Sequence, residues 1–126
     1  MKRVKCVTIL IAAILLAGCA ANSAIIKQSY TVLDSAAAMH NLYKSIVTDL
    51  YKDKLITNAE KTQAIVFSVQ FVSFYMTAVD SLSAYNSLTT AANQQQAAAA
   101  MRDATATLGR FVGLVKPYIA RRLAND

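Results

Sequence analysis

Glycine and proline, the residues that most often interrupt helices, are almost absent from this 126-residue chain. It has three glycines and one proline, and one of the glycines lies within the first 18 residues. Alanine, leucine, valine and isoleucine are frequent, and they do not alternate with polar residues as they would in half-buried strands. Because strands need turn residues between them, this pattern predicts an all-α fold.

Three helical segments follow one another along the chain. Apolar residues at helical spacing place the first at about 29–53, and the second is expected at about 58–86. The third is expected to begin near Thr90 or Asn93 and to bend at Pro117, which cannot donate a backbone hydrogen bond. Since the connections are short, the helices are predicted to form an up-down-up three-helix bundle.

The start of the second helix has a local signature. The stretch Thr57-Asn58-Ala59-Glu60 matches a capping box, in which the side chains of the first and last residues each satisfy a backbone N–H. The sequence therefore predicts the helix N-cap at Thr57.

The second predicted helix is unusually apolar. Six of its polar residues fall in one narrow stripe, and almost everything else is apolar: Gln63, Gln70, Ser73, Thr77, Asp80 and Ser81. A helix with so little polar surface is expected to be buried on two or more sides. Residues 62–79 include no charged side chain, which reaches the length at which a membrane span is suspected. The polar stripe favours a soluble core helix over a membrane span, and a third interpretation places an apolar ligand between the helices.

The N-terminus has the three regions of a secretory signal peptide. Three basic residues, Lys2, Arg3 and Lys5, precede an apolar run at 7–17, and small residues follow. The apolar run is much shorter than the roughly 20 residues that a membrane-spanning helix needs. The leader is therefore predicted to be a cleaved export signal.

The end of this leader, Leu16-Ala17-Gly18-Cys19, resembles the lipobox of bacterial lipoproteins. The resemblance implies cleavage between Gly18 and Cys19, a diacylglyceryl group on the Cys19 sulfur and an acyl chain on its new amine. Several chains on one residue would hold the protein stably on a membrane, whereas a single chain binds only marginally. Membrane lipid, reached through Cys19, is thus the first implied partner, and no other cofactor is expected.

The residue after Cys19 indicates which membrane the protein is expected to reach. Ala20 stands where an aspartate would resemble the inner-membrane retention signal of enterobacteria. The resemblance therefore implies the inner leaflet of the outer membrane, facing the periplasm, with the inner membrane or the cell surface as alternatives. The predicted organisation is a signal peptide at 1–18, a lipidated tether at 19–28 and a helical bundle domain at 29–126.

The formal charge of +6 depends partly on the leader. Three of the thirteen basic residues would leave with the signal peptide, which reduces the excess to about +3. Nucleic-acid binding requires a clustered basic face, and a periplasmic location would remove that ligand. We therefore expect no nucleic-acid partner.

Residues that could act in catalysis or bind a metal ion are scarce. His40 is the only histidine, and no cysteine beyond Cys19 follows the leader, so neither a zinc site nor a catalytic triad is expected. A buried or core-edge role for His40, with its hydrogen bonds satisfied, is the favoured interpretation. The sequence predicts no catalytic residue, no metal site, no enzyme activity and no evident small-molecule substrate.

Two glycines in the third helix form a G-x-x-x-G spacing. Gly109 and Gly113, together with Ala106, would make a smooth track suited to close contact with another helix. Each glycine costs roughly 1 kcal/mol relative to alanine in a helix, so a compensating contact is plausible on energetic grounds. The alternative is that they ease the bend at Pro117.

The order of leader, tether and helices joined near the turn Leu55-Ile56-Thr57 is similar to that of small helical lipoproteins in phage and prophage genomes. This resemblance implies a non-enzymatic accessory protein of the cell envelope, which binds another envelope protein or copies of itself. The alternative function is that of a small, lysis-associated membrane-active protein whose second helix inserts into the bilayer.

Overall fold

The computed structural model describes residues 22–125, and this part of the chain forms three helices packed against one another. They are α1 (Asn22–Lys52), α2 (Asn58–Ser87) and α3 (Ala91–Asn125). Each helix contacts both of the others, and the α2–α3 pairing is the most extensive. The predicted all-α three-helix bundle is therefore confirmed. The leader, Gly18 and Cys19 lie outside the described residues.

The first helix begins earlier than predicted. It starts at Asn22, so that residues 22–28, which were assigned to a tether, are helical. Ile25 and Ile26 are buried there and pack in the same cluster as Leu33. Ile26 lies seven residues before Leu33, so it continues the apolar side of α1 by two helical turns. Burial of these side chains extends the helix through the segment that was expected to be a tether.

The turn between α1 and α2 is closed by local hydrogen bonds. The Leu55 N–H donates to the Leu50 carbonyl at 2.9 Å and the Lys54 N–H donates to the Tyr51 carbonyl at 3.1 Å. This pair of bonds is that of a Schellman motif, which requires a left-handed residue, and Lys54 supplies it at φ 59°. Since a lysine pays a steric cost in that conformation, the motif is held by the bonds around it.

The N-cap of α2 is the residue that the sequence predicts. The Thr57 hydroxyl oxygen accepts from the Glu60 N–H at 3.1 Å, and the Glu60 carboxylate accepts from the Thr57 N–H at 3.0 Å. Both halves of the capping box are present, so the prediction is confirmed.

The second turn, at 88–90, is short and held by side-chain bonds. The Thr90 hydroxyl accepts from the Asn93 N–H at 3.2 Å, and the Asn93 amide donates to the Leu88 carbonyl at 2.9 Å. The third helix therefore starts directly after Thr90, one of the two predicted positions. It continues without interruption through the exposed Pro117.

The core extends along the whole bundle. At the end with the 88–90 turn it is built largely from alanines of α3 and from Leu33, Leu82 and Tyr85. A middle cluster contains Phe71 and Leu108, and the cluster near the first turn contains Leu50 and Phe111. At the end with the 88–90 turn, the small side chains of α3 allow its backbone to lie close to α2. This close approach accounts for the extent of the α2–α3 pairing.

Candidate interaction surfaces

The two sides of α2 differ in burial although both are apolar. Phe71, Ala78 and Leu82 are at most 1% exposed. On another side, Ile65 is 49% and Val69 62% exposed. The expectation that only the polar stripe of this helix faces solvent is therefore wrong. The two neighbouring helices cover one side of α2 and leave part of its apolar surface exposed.

Four of the six exposed large apolar residues of α2 form a continuous line, which we call the α2 stripe: Ile65, Val69, Val72 and Met76. The other two, Val66 and Phe74, are exposed outside it. The four residues of the stripe are spaced by four, three and four positions, and Met76 is 60% exposed. At 1.5 Å per residue the stripe is about 16 Å long. The same spacing forms the seam of a two-helix coiled coil. Its geometry is therefore suited to a second helix.

The stripe lies beside α1 rather than α3. On the neighbouring edge of α2, Ser68 bonds to a side chain of α1, and Lys61 lies 4.0 Å from the centre of the Tyr51 ring of α1. The predicted polar positions Gln63, Gln70, Ser73 and Thr77 are exposed on the other edge of the stripe. The stripe therefore runs between α1 and the polar edge of α2.

Helix α2 also has the length and composition of a membrane span. Within residues 22–125 it is the one helix that passes a length and hydropathy test for crossing a bilayer, and 28% of its most apolar window is buried in the bundle. A soluble core helix would have most of that window buried. The membrane-active alternative therefore has a physical basis in the exposed part of α2.

His40 lies in the centre of the bundle with its hydrogen bond satisfied. It is 5% exposed, its Nε2 lies 2.6 Å from the Ser68 hydroxyl oxygen, and its ring is 4.7 Å from that of Phe71 and 5.5 Å from that of Phe111. This arrangement confirms the interpretation of His40 as a satisfied core histidine.

The sequence did not reveal the partner of His40. Ser68 is 8% exposed and lies against α1 rather than solvent. Residue 40 lies 12 positions before the end of α1 and residue 68 lies 10 positions after the start of α2, so an antiparallel hairpin brings them to about the same level, and this is the signal that would have paired them.

Burial and the nearby Lys44 ammonium lower the pKa of His40 below its ordinary value of 6.5, and a hydrogen bond involving Asn41 acts in the opposite direction. The imidazole is therefore held in its neutral form. A serine and a histidine at this distance resemble the first two members of a nucleophilic triad. Because both side chains are enclosed by the three helices, the contact satisfies two buried polar groups rather than facing a solvent-accessible substrate site.

The end of the bundle at the first turn carries two ion pairs between α3 and the α1–α2 hairpin. Arg121 donates to both carboxylate oxygens of Glu60, at 2.8 and 2.7 Å, and Arg122 pairs with Asp53. The hydrogen bonds from Arg121, together with that from the Thr57 N–H, lower the pKa of Glu60 to about 2. Glu60 thus joins the start of α2 to the end of α3.

The opposite end of the bundle has no comparable charges. Residues 81–101, which include the second turn, contain no charged side chain, and Lys27 is the first charged residue of α1. Leu88 is 62% exposed at that turn. One end is therefore charged and ion-paired, whereas the end that follows the leader is neutral.

The predicted helix-contact track in α3 is divided between different environments. Gly109 is buried, Gly113 is half-buried and Ala106 is exposed. The buried Gly109 and its neighbour Thr105 lie on the packed side of α3, where the absence of a large side chain allows close approach of another helix. A role for the whole track in contacts with another protein stays a prediction.

Metal ligands are not grouped in the described part of the chain. Between residues 22 and 125, no three His, Cys, Asp or Glu side chains lie close enough together to hold a metal ion. Comparison with known proteins adds no functional assignment: no family model, no curated protein and no solved structure matches this chain.

Proposed function

We propose that the chain is a lipid-anchored, non-enzymatic protein of the bacterial envelope, in which Cys19 carries the lipid and the helical bundle binds another protein. The observation that carries this proposal is the order of basic residues, apolar run and Leu16-Ala17-Gly18-Cys19 at the N-terminus. Its site is the inner leaflet of the outer membrane, facing the periplasm. The resemblance of its sequence pattern to small phage and prophage lipoproteins supports a role as an accessory envelope protein.

The distance from the lipid to the bundle supports this function. Only two residues, Ala20 and Ala21, separate Cys19 from the start of α1 at Asn22. The bundle would therefore stand directly on the membrane, with the second turn at the same end. Since this end has a neutral surface, it can approach a lipid headgroup layer without burying unpaired charges.

The anchor is tested by replacing the lipid-bearing residue. In the full chain, Cys19→Ser is expected to abolish labelling by radioactive palmitate and to release the protein from the membrane fraction. Cys6→Ser, in the leader, is the matched control and is expected to retain both properties. The proposal fails if Cys19→Ser leaves labelling and fractionation unchanged.

A second candidate function has its own supporting observation. Because α2 is long and apolar enough to span a bilayer and is partly exposed, the chain is also a candidate membrane-active protein. Expression of the chain from residue 19 with Cys19→Ser separates the two. A monodisperse helical product without detergent supports the envelope-binding function, and a product that requires detergent supports insertion of α2.

A further inference from the structure

The end of the bundle that follows the leader is also the end that holds the second turn. Three buried residues from different helices mark this end by packing in one cluster: Ile26 of α1, Tyr85 of α2 and Ala97 of α3. Helices α1 and α2 have 31 and 30 residues, so the start of α1 lies about level with the end of α2. We call this part of the bundle, residues 22–26 and 81–101, the neutral end, because it contains no charged side chain.

The predicted lipid is close to the neutral end. Ala20 and Ala21 alone separate Cys19 from the start of α1, and three residue steps span at most about 11 Å even in a fully extended chain. A lipid on Cys19 would therefore hold the start of α1 within that distance of the lipid-bearing residue. When the bundle stands upright on the leaflet, the second turn lies at the same height.

The depth of the neutral end matches that of one layer of lipid headgroups. At 1.5 Å per residue, the charge nearest to this end lies about 8 Å along α1 at Lys27, about 10 Å along α2 at Asp80 and about 16 Å along α3 at Arg102. The headgroup layer on one side of a bilayer is about 5–7 Å thick. The neutral end can therefore cross this layer without burying a charge, and the exposed Lys27 lies at its water side, where its ammonium can meet the phosphates.

Leu88 is the large apolar side chain that the second turn exposes, at 62%. The polar groups of its backbone are already hydrogen-bonded within the chain. Its N–H donates to the Ala84 carbonyl at 3.0 Å. Its carbonyl accepts from the Thr90 N–H and from the Asn93 side-chain amide, both at 2.9 Å. Because backbone groups without partners are costly away from water, these bonds allow Leu88 to leave water.

We propose that the neutral end is a lipid-contacting surface, on which the bundle stands end-on with Leu88 inserted where the headgroups meet the acyl chains. Its partner is the phospholipid leaflet that carries the Cys19 lipid. This inference rests on the proposed lipid anchor and deepens it by giving the anchored bundle a fixed orientation. The charged end at the first turn then points away from the leaflet. The α2 stripe stays outside the headgroup layer, since its nearest residue, Met76, lies about 16 Å from the end of α2.

Single tryptophans test this orientation, because the chain has none of its own. Each variant of the full chain is expressed in bacteria, extracted from the membranes and reconstituted into phosphatidylcholine vesicles. Vesicles with brominated acyl chains, which quench tryptophan on contact, are compared with unbrominated ones. Leu88→Trp is expected to lose most of its emission in the brominated vesicles. Leu123→Trp is the matched control at the charged end: Leu123 is 71% exposed, and the emission of its tryptophan is expected to be unchanged.

A third variant separates end-on contact from a bundle that lies on its side. Val69→Trp, on the α2 stripe, is expected to keep its emission, since residue 69 lies about 27 Å from the end of α2. Circular dichroism of each variant checks that the helices are retained. Labelling of the same preparations by radioactive palmitate checks the anchor independently of the fluorescence.

Two results with labelled, helical protein would overturn the end-on contact and leave the anchor intact. Unchanged emission from Leu88→Trp would show that the second turn does not reach the acyl chains. Strong quenching of Val69→Trp would show that α2, rather than the neutral end, faces the lipid. Protein that palmitate does not label would overturn the anchor, and the end-on contact with it.

Discussion

The buried and exposed sides of α2 have similar composition and opposite environments. Phe71 and Leu82 on the buried side are at most 1% exposed, whereas Val69 and Met76 on the other side are about 60% exposed. The buried side also contains Ser68, a polar residue, and the exposed side contains none within its stripe. Burial in this bundle is therefore decided by where the two neighbouring helices lie, not by the hydrophobicity of each residue.

The geometry of a three-helix bundle explains this outcome. Both neighbours contact α2 from one side, so they cover only part of its circumference. A helix that is apolar nearly all round therefore keeps an open apolar surface unless a further partner covers it. The energetic contrast between the two sides is open to direct measurement.

The largest expected effect comes from removing an aromatic ring on the buried side. Phe71→Ala should destabilise the fold by about 3–5 kcal/mol, because the residue is fully buried and the space it leaves cannot be filled. Met76→Ala, on the stripe, is the matched control and should change stability by less than about 0.5 kcal/mol in dilute, monomeric protein. Urea unfolding of the purified full chain, followed by circular dichroism, measures both. Equal losses from the two variants would refute the contrast between the sides.

The next effect concerns the polar contact within the buried side. Ser68→Ala should cost about 1–3 kcal/mol, because it leaves His40 Nε2 without its hydrogen-bond partner inside the bundle. The double variant His40→Leu, Ser68→Ala should recover part of this loss, since both polar groups are then removed together. A double-mutant cycle that also includes His40→Leu alone measures the coupling. Strictly additive losses would contradict a direct contact between the two residues.

Local sequence signals predicted the fold well. The capping box at Thr57 was found because its two hydrogen bonds join residues three positions apart, so no tertiary information is needed. The second turn was located for the same reason, since Thr90 and Asn93 bond within one helical turn. Scarcity of glycine and proline then predicted three long helices.

Features that depend on tertiary contacts were missed. The start of α1 was placed too late because Ile25 and Ile26 are buried only once α2 and α3 pack against them. The exposed side of α2 was missed because nearly all of its positions are apolar, so periodicity does not mark which side the neighbouring helices cover. The pairing of Ser68 with His40 likewise required the antiparallel register of two helices.

Acid should weaken the buried side of α2 through His40, the only histidine. Burial lowers its pKa in the folded chain, so between pH 7.5 and 5.5 the unfolded chain takes up a proton more readily than the folded one. Stability should therefore fall as the pH drops through about 6.5, by no more than about 1.4 kcal/mol per pH unit. The loss should level off below the pKa of the folded form.

A variant without the imidazole isolates this effect. His40→Gln should show a much flatter dependence of the unfolding free energy on pH over the same window. Glu60 does not interfere, because its stabilising contribution, which follows from a pKa lowered to about 2, is lost only below about pH 4.5. A parent chain whose stability is constant from pH 7.5 to 5.5 would show that the folded state does not exclude the proton from His40.

The smallest expected effect comes from the N-cap of α2, which belongs to neither the buried nor the exposed side of the helix. Thr57→Ala should cost about 1 kcal/mol, since it removes the oxygen that accepts from the Glu60 N–H at the start of the helix. Thr62→Ala is the control: its hydroxyl bonds only to the Asn58 carbonyl within the helix, so its loss should change stability by less than about 0.5 kcal/mol. Urea unfolding again measures both. If Thr57→Ala were as harmless as Thr62→Ala, packing of the buried side alone would determine where α2 begins.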